Sequence, residues 1–269
     1  MPSIAPSTPT TTTRVARVPY LNSAPFFRGL PLGDRFELTD CMPRQLGQQA
    51  AAGHVSAGLL SLIDFFRLEE RFERLGHFGL AVRGRAHSVL LFSRQPIRQL
   101  DGATISVTEE TSTAARLLRL VLEQRYRISP QAYRRGDDPD ADALLLIGDA
   151  ALRLQRGNTR FPFEVDLAFE WWLWQHVPFV FAVWAIRSDA RAQVKRELES
   201  GLARALGTNL GRLPEIAAES AASFGLPAGD LEHYLSSFLY RLGHDEEEGI
   251  RRFRDLVHEH HLLGTFVNA

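Results

Sequence analysis

The chain has 269 residues, 45% hydrophobic and 23% charged, with 31 Lys and Arg against 32 Asp and Glu. This composition is ordinary for a globular protein, and the near-neutral balance argues against nucleic acid or an anionic membrane as the main partner. The single cysteine, Cys41, excludes an intramolecular disulfide and Cys-pair zinc spacing, and no run of about 18 apolar residues offers a membrane helix.

In chain order, residues 1–13 are rich in Ser, Thr and Pro and are expected to form a disordered tail. They lack the basic start and apolar stretch of a signal peptide, so a cytoplasmic location is expected. Short apolar runs at Val15–Val18, Ala57–Leu60, Ser88–Phe92, Ala103–Val107, Ala143–Ile147 and Phe179–Ile186 predict buried strands. Most are continuous rather than alternating, the pattern of parallel strands covered on both faces. Between them, Pro43–Ala52 reads as a helix closed by Gly53. Thr113–Tyr126 reads as another, with Ala114, Leu117, Leu118 and Val121 on one stripe.

The last third is helical by the same test. Val194, Leu198, Leu202 and Ala205 share one stripe; Leu231, Tyr234, Leu235, Phe238 and Leu239 share another. Asp245 with Glu248 resembles a capping box opening a final helix through Ile250, Phe253 and Val257.

The pattern predicts an α/β protein. Its length allows one large domain or two small ones. Lacking a long linker, two lobes would be joined by chain crossings, with 88–94 and 179–186 as hinge strands. The expected division is 14–93 plus 184–269 for lobe one and 94–183 for lobe two.

Ligands of open parallel sheets bind beyond the carboxyl ends of the strands. Small polar residues recur at those ends: Pro19-Tyr20-Leu21-Asn22-Ser23-Ala24-Pro25, then Ser61, then Thr108 to Thr113, then Gly148-Asp149. Thr111, Ser112 and Thr113 stand where a helix begins, either as a carboxylate site or as a plain N-cap. Asn22 can both donate and accept, or serve only as a turn residue. Asp149 is expected to cap the helix that follows rather than act as a base. His258, Glu259, His260 and His261 miss the spacing of a metal-binding helix, and Trp171, Trp172 and Trp174 read as packing. No phosphate loop or nucleophile elbow is present. Physics alone gives a two-lobed α/β protein holding a small anion in its cleft.

The 19–25 segment resembles the opening signature of the chorismate dehydratases of the futalosine pathway to menaquinone. Ser88-Val89-Leu90-Leu91-Phe92-Ser93 is similar to a second family motif, followed by Pro96-Ile97 and Leu100-Asp101-Gly102. Thr111-Ser112-Thr113, the segment Leu145 to Leu152, Asp166-Leu167 with Trp171, and Pro178-Phe179 through Trp184 follow in the family's order. The resemblance covers about residues 14–190. It departs at Glu109-Glu110, two acids beside the anion cradle, and at Ala57 to Leu62, a loose version of a segment that usually carries paired serines.

This resemblance implies a type II periplasmic-binding-protein-like fold, with mainly parallel sheets flanked by helices and a helical C-terminal layer. It implies a lyase that removes water from chorismate, a small-molecule substrate, to give 3-[(1-carboxyvinyl)oxy]benzoate, without metal or other cofactor. It places Asn22 and Ser88 at the reacting centre. Tyr20, Ser23, Ser61, Thr111, Ser112, Thr113, Gly148, Pro178 and Phe179 would bind substrate. Rival readings are a non-catalytic solute-binding protein, the sister 1,4-dihydroxy-6-naphthoate synthase, and a ligand-sensing domain of a regulator. The last is disfavoured because no DNA-binding segment is present.

Overall fold

The computed structural model describes residues 12–136 and 138–264. Most of the expected tail lies outside them, but Thr13 already belongs to strand β1 (Thr13–Arg17).

Two sheets organise the chain. The first holds β1, β2 (Phe36–Asp40), β3 (Ala57–Ser61), β4 (Phe72–Val82), β10 (Phe179–Arg187) and β11 (Phe238–Arg241), in the order β11-β4-β10-β3-β1-β2. The second holds β5 (Val89–Ser93), β6 (Thr104–Val107), β7 (Ala132–Arg135), β8 (Ala143–Ile147) and β9 (Phe163–Asp166), in the order β7-β6-β8-β5-β9. Helices flank both, as expected of the fold class.

The sheets are mixed rather than mainly parallel. β1 pairs parallel with β2 and β3, and β6 with β7 and β8. β10 runs antiparallel to β3 and β4, β11 to β4, and β5 to β8 and β9. Continuous apolar runs report burial on both faces, which β3 and β5 have at every position; they do not report strand direction.

Neither expected hinge strand is shared between sheets. Residues 89–93 are an interior strand of the second sheet, and 179–187 an interior strand of the first. The chain instead passes between sheets over 83–88 and over 167–178, unlike the expected division at 93/94 and 183/184.

The second crossing contains helix α6 (Leu167–Gln175). Asp166 caps it, accepting from the amides of Ala168 and Phe169. Trp171 on this helix is fully buried. Its ring meets Phe179 and Phe253 edge-on at centroid distances of 5.3 and 5.9 Å. Each such pair contributes about 0.5–1.5 kcal/mol beyond area burial.

The other helices follow in chain order. They are α1 (Ala24–Phe27), α2 (Pro43–Ala51), α3 (Leu62–Leu68), α4 (Thr113–Arg119), α5 (Gly148–Gly157), α7 (Ala192–Asn209), α8 (Leu213–Phe224), α9 (Ala228–Ser236) and α10 (His244–Glu259). α2 ends as expected, with Gly53 at φ +79°. The helix expected over 113–126 stays α-helical only to Arg119 and closes with a π turn over Leu120–Arg125.

The stripe read from Leu231 to Leu239 is not one helix. α9 stops at Ser236, and Phe238 and Leu239 enter edge strand β11 beside β4. The final cap is two residues earlier than expected. Glu246, not Glu248, reaches back, accepting from the Gly243 amide at 2.7 Å.

Candidate functional site

The carboxyl ends of β1, β3, β6 and β8 converge on one cavity of about 80 Å³. Tyr20, Asn22, Ser61, Ser88, Thr111, Ser112, Thr113 and Gly148 all line it. So do Val18, Pro43, Leu59, Leu80, Val89, Ala114, Ile147, Phe181, Ala182 and Phe238. No lining residue is an Asp, Glu, His, Lys or Arg. The wall is apolar, studded with an amide and hydroxyls, as usual for a small-molecule site.

Three of the expected binding residues stand elsewhere. Ser23 is buried and donates its hydroxyl to the carbonyls of Val18 and Tyr20, so it shapes the 19–23 turn. Phe179 is spent in the aromatic cluster with Trp171, Phe181 and Phe253. The Pro178 carbonyl lies where a side chain on Gly249 of α10 would have to sit. Phe181, two residues along β10 on the same face and in ring contact with Phe179 at 4.7 Å, lines the cavity instead.

Ser88 follows a turn fixed by a buried carboxylate. Asp166 Oδ2 accepts from the amides of Ala86 and His87 at 2.9 and 2.8 Å, while its other oxygen caps α6. Burial raises the Asp166 pKa, and the four amide donors oppose that rise. The Ser88 hydroxyl accepts from the Tyr234 hydroxyl at 3.0 Å. Its own donation, to the Ala86 carbonyl, is long at 3.4 Å. Asn22 lies near the same phenol and acts to lower its pKa, against the larger rise from burial. Sequence reading missed Tyr234 in this role: it lies 146 positions from Ser88, inside an ordinary helical stripe.

Gly148 is held by its amide to the Ser88 carbonyl at 2.7 Å. Its φ is +58°, and a Cβ there would stand 2.7 Å from the Tyr20 ring. Glycine therefore meets two demands at once, left-handed backbone and close approach of an aromatic ring.

At the loop 108–113 the structure shows the cap reading. Thr111 is a helix cap: its Oγ1 accepts from the Ala114 amide at 3.2 Å. Thr113 Oγ1 accepts from the Ile63 amide at 3.1 Å, joining the loop to α3. Ser61 caps α3 and donates to Asp64 Oδ2 at 2.7 Å, so its proton is committed there.

Arginines stand behind this loop. Arg135 donates to the carbonyls of Thr108 and Thr111, and Arg116 to those of Ser112, Leu262 and Gly264. Arg116 is only 2% exposed, and burial beside Arg67 and Arg135 lowers its pKa. Positive charge thus lies close to the loop without entering the cavity. The arginine signal was present in the sequence, but nothing local ties Arg135 to Thr111.

The two acids that depart from the family pattern are both engaged across the sheets. Glu110 accepts from the Tyr20 hydroxyl, and Glu109 pairs with Arg44 at 2.5 Å. Burial, with Glu110 beside it, pushes the Tyr20 phenol far above its ordinary pKa. Asp149 is not a helix cap. Its carboxylate accepts from the Leu21 amide at 3.2 Å, and burial raises its pKa. These contacts tie the 19–23 turn to the second sheet.

His258, Glu259 and His261 are exposed at the end of α10. Among the described residues no group of three His, Cys, Asp or Glu is placed to hold a metal, and no helix is long and apolar enough to cross a membrane.

A cavity at strand ends between two helix-flanked sheets is the architecture of ligand-cleft proteins of the periplasmic-binding type, and solved structures agree. A protein of Archaeoglobus fulgidus matches with a TM-score of 0.77 at 18% identity, over 95% of this chain and all of that one. The alkanesulfonate-binding protein of Xanthomonas axonopodis pv. citri, bound to MOPS, matches with a TM-score of 0.67 at 16% identity, over 96% of both chains. At such identities the likeness concerns the fold alone. The sequence is more specific. A family model described as menaquinone biosynthesis matches residues 13–259. The chorismate dehydratase of Thermus thermophilus is 32% identical over 88% of this chain and 92% of its own length. The chain belongs to the menaquinone biosynthesis family.

Proposed function

We propose that this protein is a hydro-lyase that eliminates water from chorismate to give 3-[(1-carboxyvinyl)oxy]benzoate. The observation that carries the reading is the cavity wall. It joins Asn22 and Ser88 to the hydroxyls of residues 111–113 in one space with no Asp, Glu, His, Lys or Arg in its described lining, in a chain similar over 88% of its length to a chorismate dehydratase.

The chemistry suits such a wall. The ring C–H bond at the ether-bearing carbon breaks, and its electrons form the new ring double bond. The adjacent C–O bond breaks, its electrons leaving with oxygen. Gaining an aromatic ring supplies the driving force. The enzyme's task is to hold one conformer, exclude water and steady the departing oxygen.

No lining side chain is a strong base, so the substrate's own enolpyruvyl carboxylate takes the ring proton and delivers it to the departing hydroxyl. Ser88 donates a hydrogen bond to that oxygen, and Asn22 orients the reacting face. Ser112 and Thr113 bind a substrate carboxylate, with Arg116 and Arg135 supplying positive potential behind the loop. Substrate enters when the contacts Tyr20–Glu110, Arg44–Glu109 and Leu21–Asp149 part.

Incubation with chorismate, followed by ultraviolet absorbance and mass, tests the reading. An aromatic product one water lighter than chorismate is expected. Bound but unchanged chorismate would instead make the protein a carrier.

A further inference from the structure

The buried phenol of Tyr234 is bonded to Ser88, one of the two residues assigned to the reacting centre, and that bond has a direction. It is 2% exposed on α9, with its ring edge-on to Phe238 at 5.1 Å and 87°. Its hydroxyl donates to Ser88 Oγ at 3.0 Å. A phenol has one proton, and here it is directed at Ser88. Ser88 then has its lone pair engaged by Tyr234 and its own proton committed only to the long contact with the Ala86 carbonyl. The donors therefore run one way, from the Tyr234 hydroxyl to the Ser88 hydroxyl, and on into the cavity. In a low-dielectric wall such chains polarise one another. Burial holds the Tyr234 pKa well above its ordinary value, so the phenol keeps its proton throughout the neutral range.

We propose that Tyr234 is a positioning residue: by donating to Ser88, it fixes the Ser88 hydroxyl as a hydrogen-bond donor toward the departing oxygen. It transfers no proton itself. The inference rests on the dehydratase reading above and adds a residue from the C-terminal layer to that site.

Tyr234→Phe removes the hydroxyl and keeps the ring. With chorismate as substrate, kcat is expected to fall about 10- to 100-fold, the scale of losing a buried hydrogen bond and leaving its partner unpaired. KM should stay within about threefold. Ser88→Ala combined with Tyr234→Phe should be no slower than Ser88→Ala alone, within about threefold, because the phenol acts through Ser88. Unimpaired kcat in Tyr234→Phe, or losses that multiply in the double variant, would overturn the inference while leaving the dehydratase reading intact. Absence of turnover by the unmodified protein would overturn both.

A second measurement does not depend on Tyr234→Phe folding. With tyrosine labelled at the ring carbon bearing oxygen, Ser88→Ala should shift the Tyr234 signal; an unmoved signal contradicts the hydrogen bond.

Discussion

The corner around Ser88 and the loop 111–113 line the same cavity, yet their polar groups are held by different means. Around Ser88 the holding groups are neutral: the Tyr234 phenol and the Gly148 amide on the Ser88 carbonyl. The carboxylates that shape this corner, Asp166 and Asp149, are turned onto backbone amides outside the cavity lining. Around the loop the holding groups are cationic, with Arg116 and Arg135 on backbone carbonyls of residues 108–112. The contrast separates two tasks. A substrate with two carboxylates needs positive potential to bind, whereas loss of its hydroxyl needs oriented donors in a dry wall. Guanidiniums bonded to the back of the loop supply the potential, and their side chains do not line the cavity.

If the division is real, substitutions on the two sides change different constants. The largest effect is expected at the neutral corner. Ser88→Ala and Asn22→Ala should each lower kcat by about 10²–10³, the scale seen when one transition-state donor is removed, with KM changed only a few-fold. A rise in KM alone would move these residues to the binding side.

Arg116→Met should come next. It removes donors from three carbonyls, those of Ser112 and Leu262 buried, and stability should fall by about 2–3 kcal/mol. In a chain of this size that lowers Tm by roughly 5–10 °C, which thermal unfolding would detect. Unchanged Tm would show that the arginine does not hold the loop.

Ser112→Ala is expected to be the mildest. KM for chorismate should rise about three- to tenfold with kcat preserved, the loss of one uniform binding contact worth about 1 kcal/mol. A fall in kcat with unchanged KM would blur the two sides.

The comparison also marks what could be read from the chain. Six strands were legible because β1, β3, β5, β6, β8 and β10 carry short continuous apolar runs. The strands that went unread include all four sheet edges, β2, β7, β9 and β11. β2 reads Phe-Glu-Leu-Thr-Asp and is exposed along most of its length, so it has no apolar run to show. β4 carries no strand signal although it is interior, because the apolar residues of its first half, Phe72, Leu75 and Phe78, stand three apart and Gly76 and Gly79 break its pattern. β11 was taken for helix because Phe238 follows Tyr234 by four residues, and spacing alone does not reveal that α9 ends between them.

The site divides the same way. Strand-end polar residues were legible, since chain direction carries every such residue to one edge of its sheet. Partners arriving from distant sequence were not. Tyr234 reaches Ser88 from the C-terminal layer, and Glu110 reaches Tyr20 across 90 positions. Phe181 rather than Phe179 enters the cavity because the Phe179 ring is taken up by Trp171 and Phe253, partners from distant sequence.

The most direct test of the account is a single-turnover experiment in which protein in excess over chorismate is mixed, quenched and analysed by mass, in parallel with Ser88→Ala. The unmodified protein should convert the chorismate to an aromatic product lighter by one water, and Ser88→Ala should leave most of it unchanged over the same interval. Intact chorismate recovered from the unmodified protein, or equal conversion by both, would contradict the account.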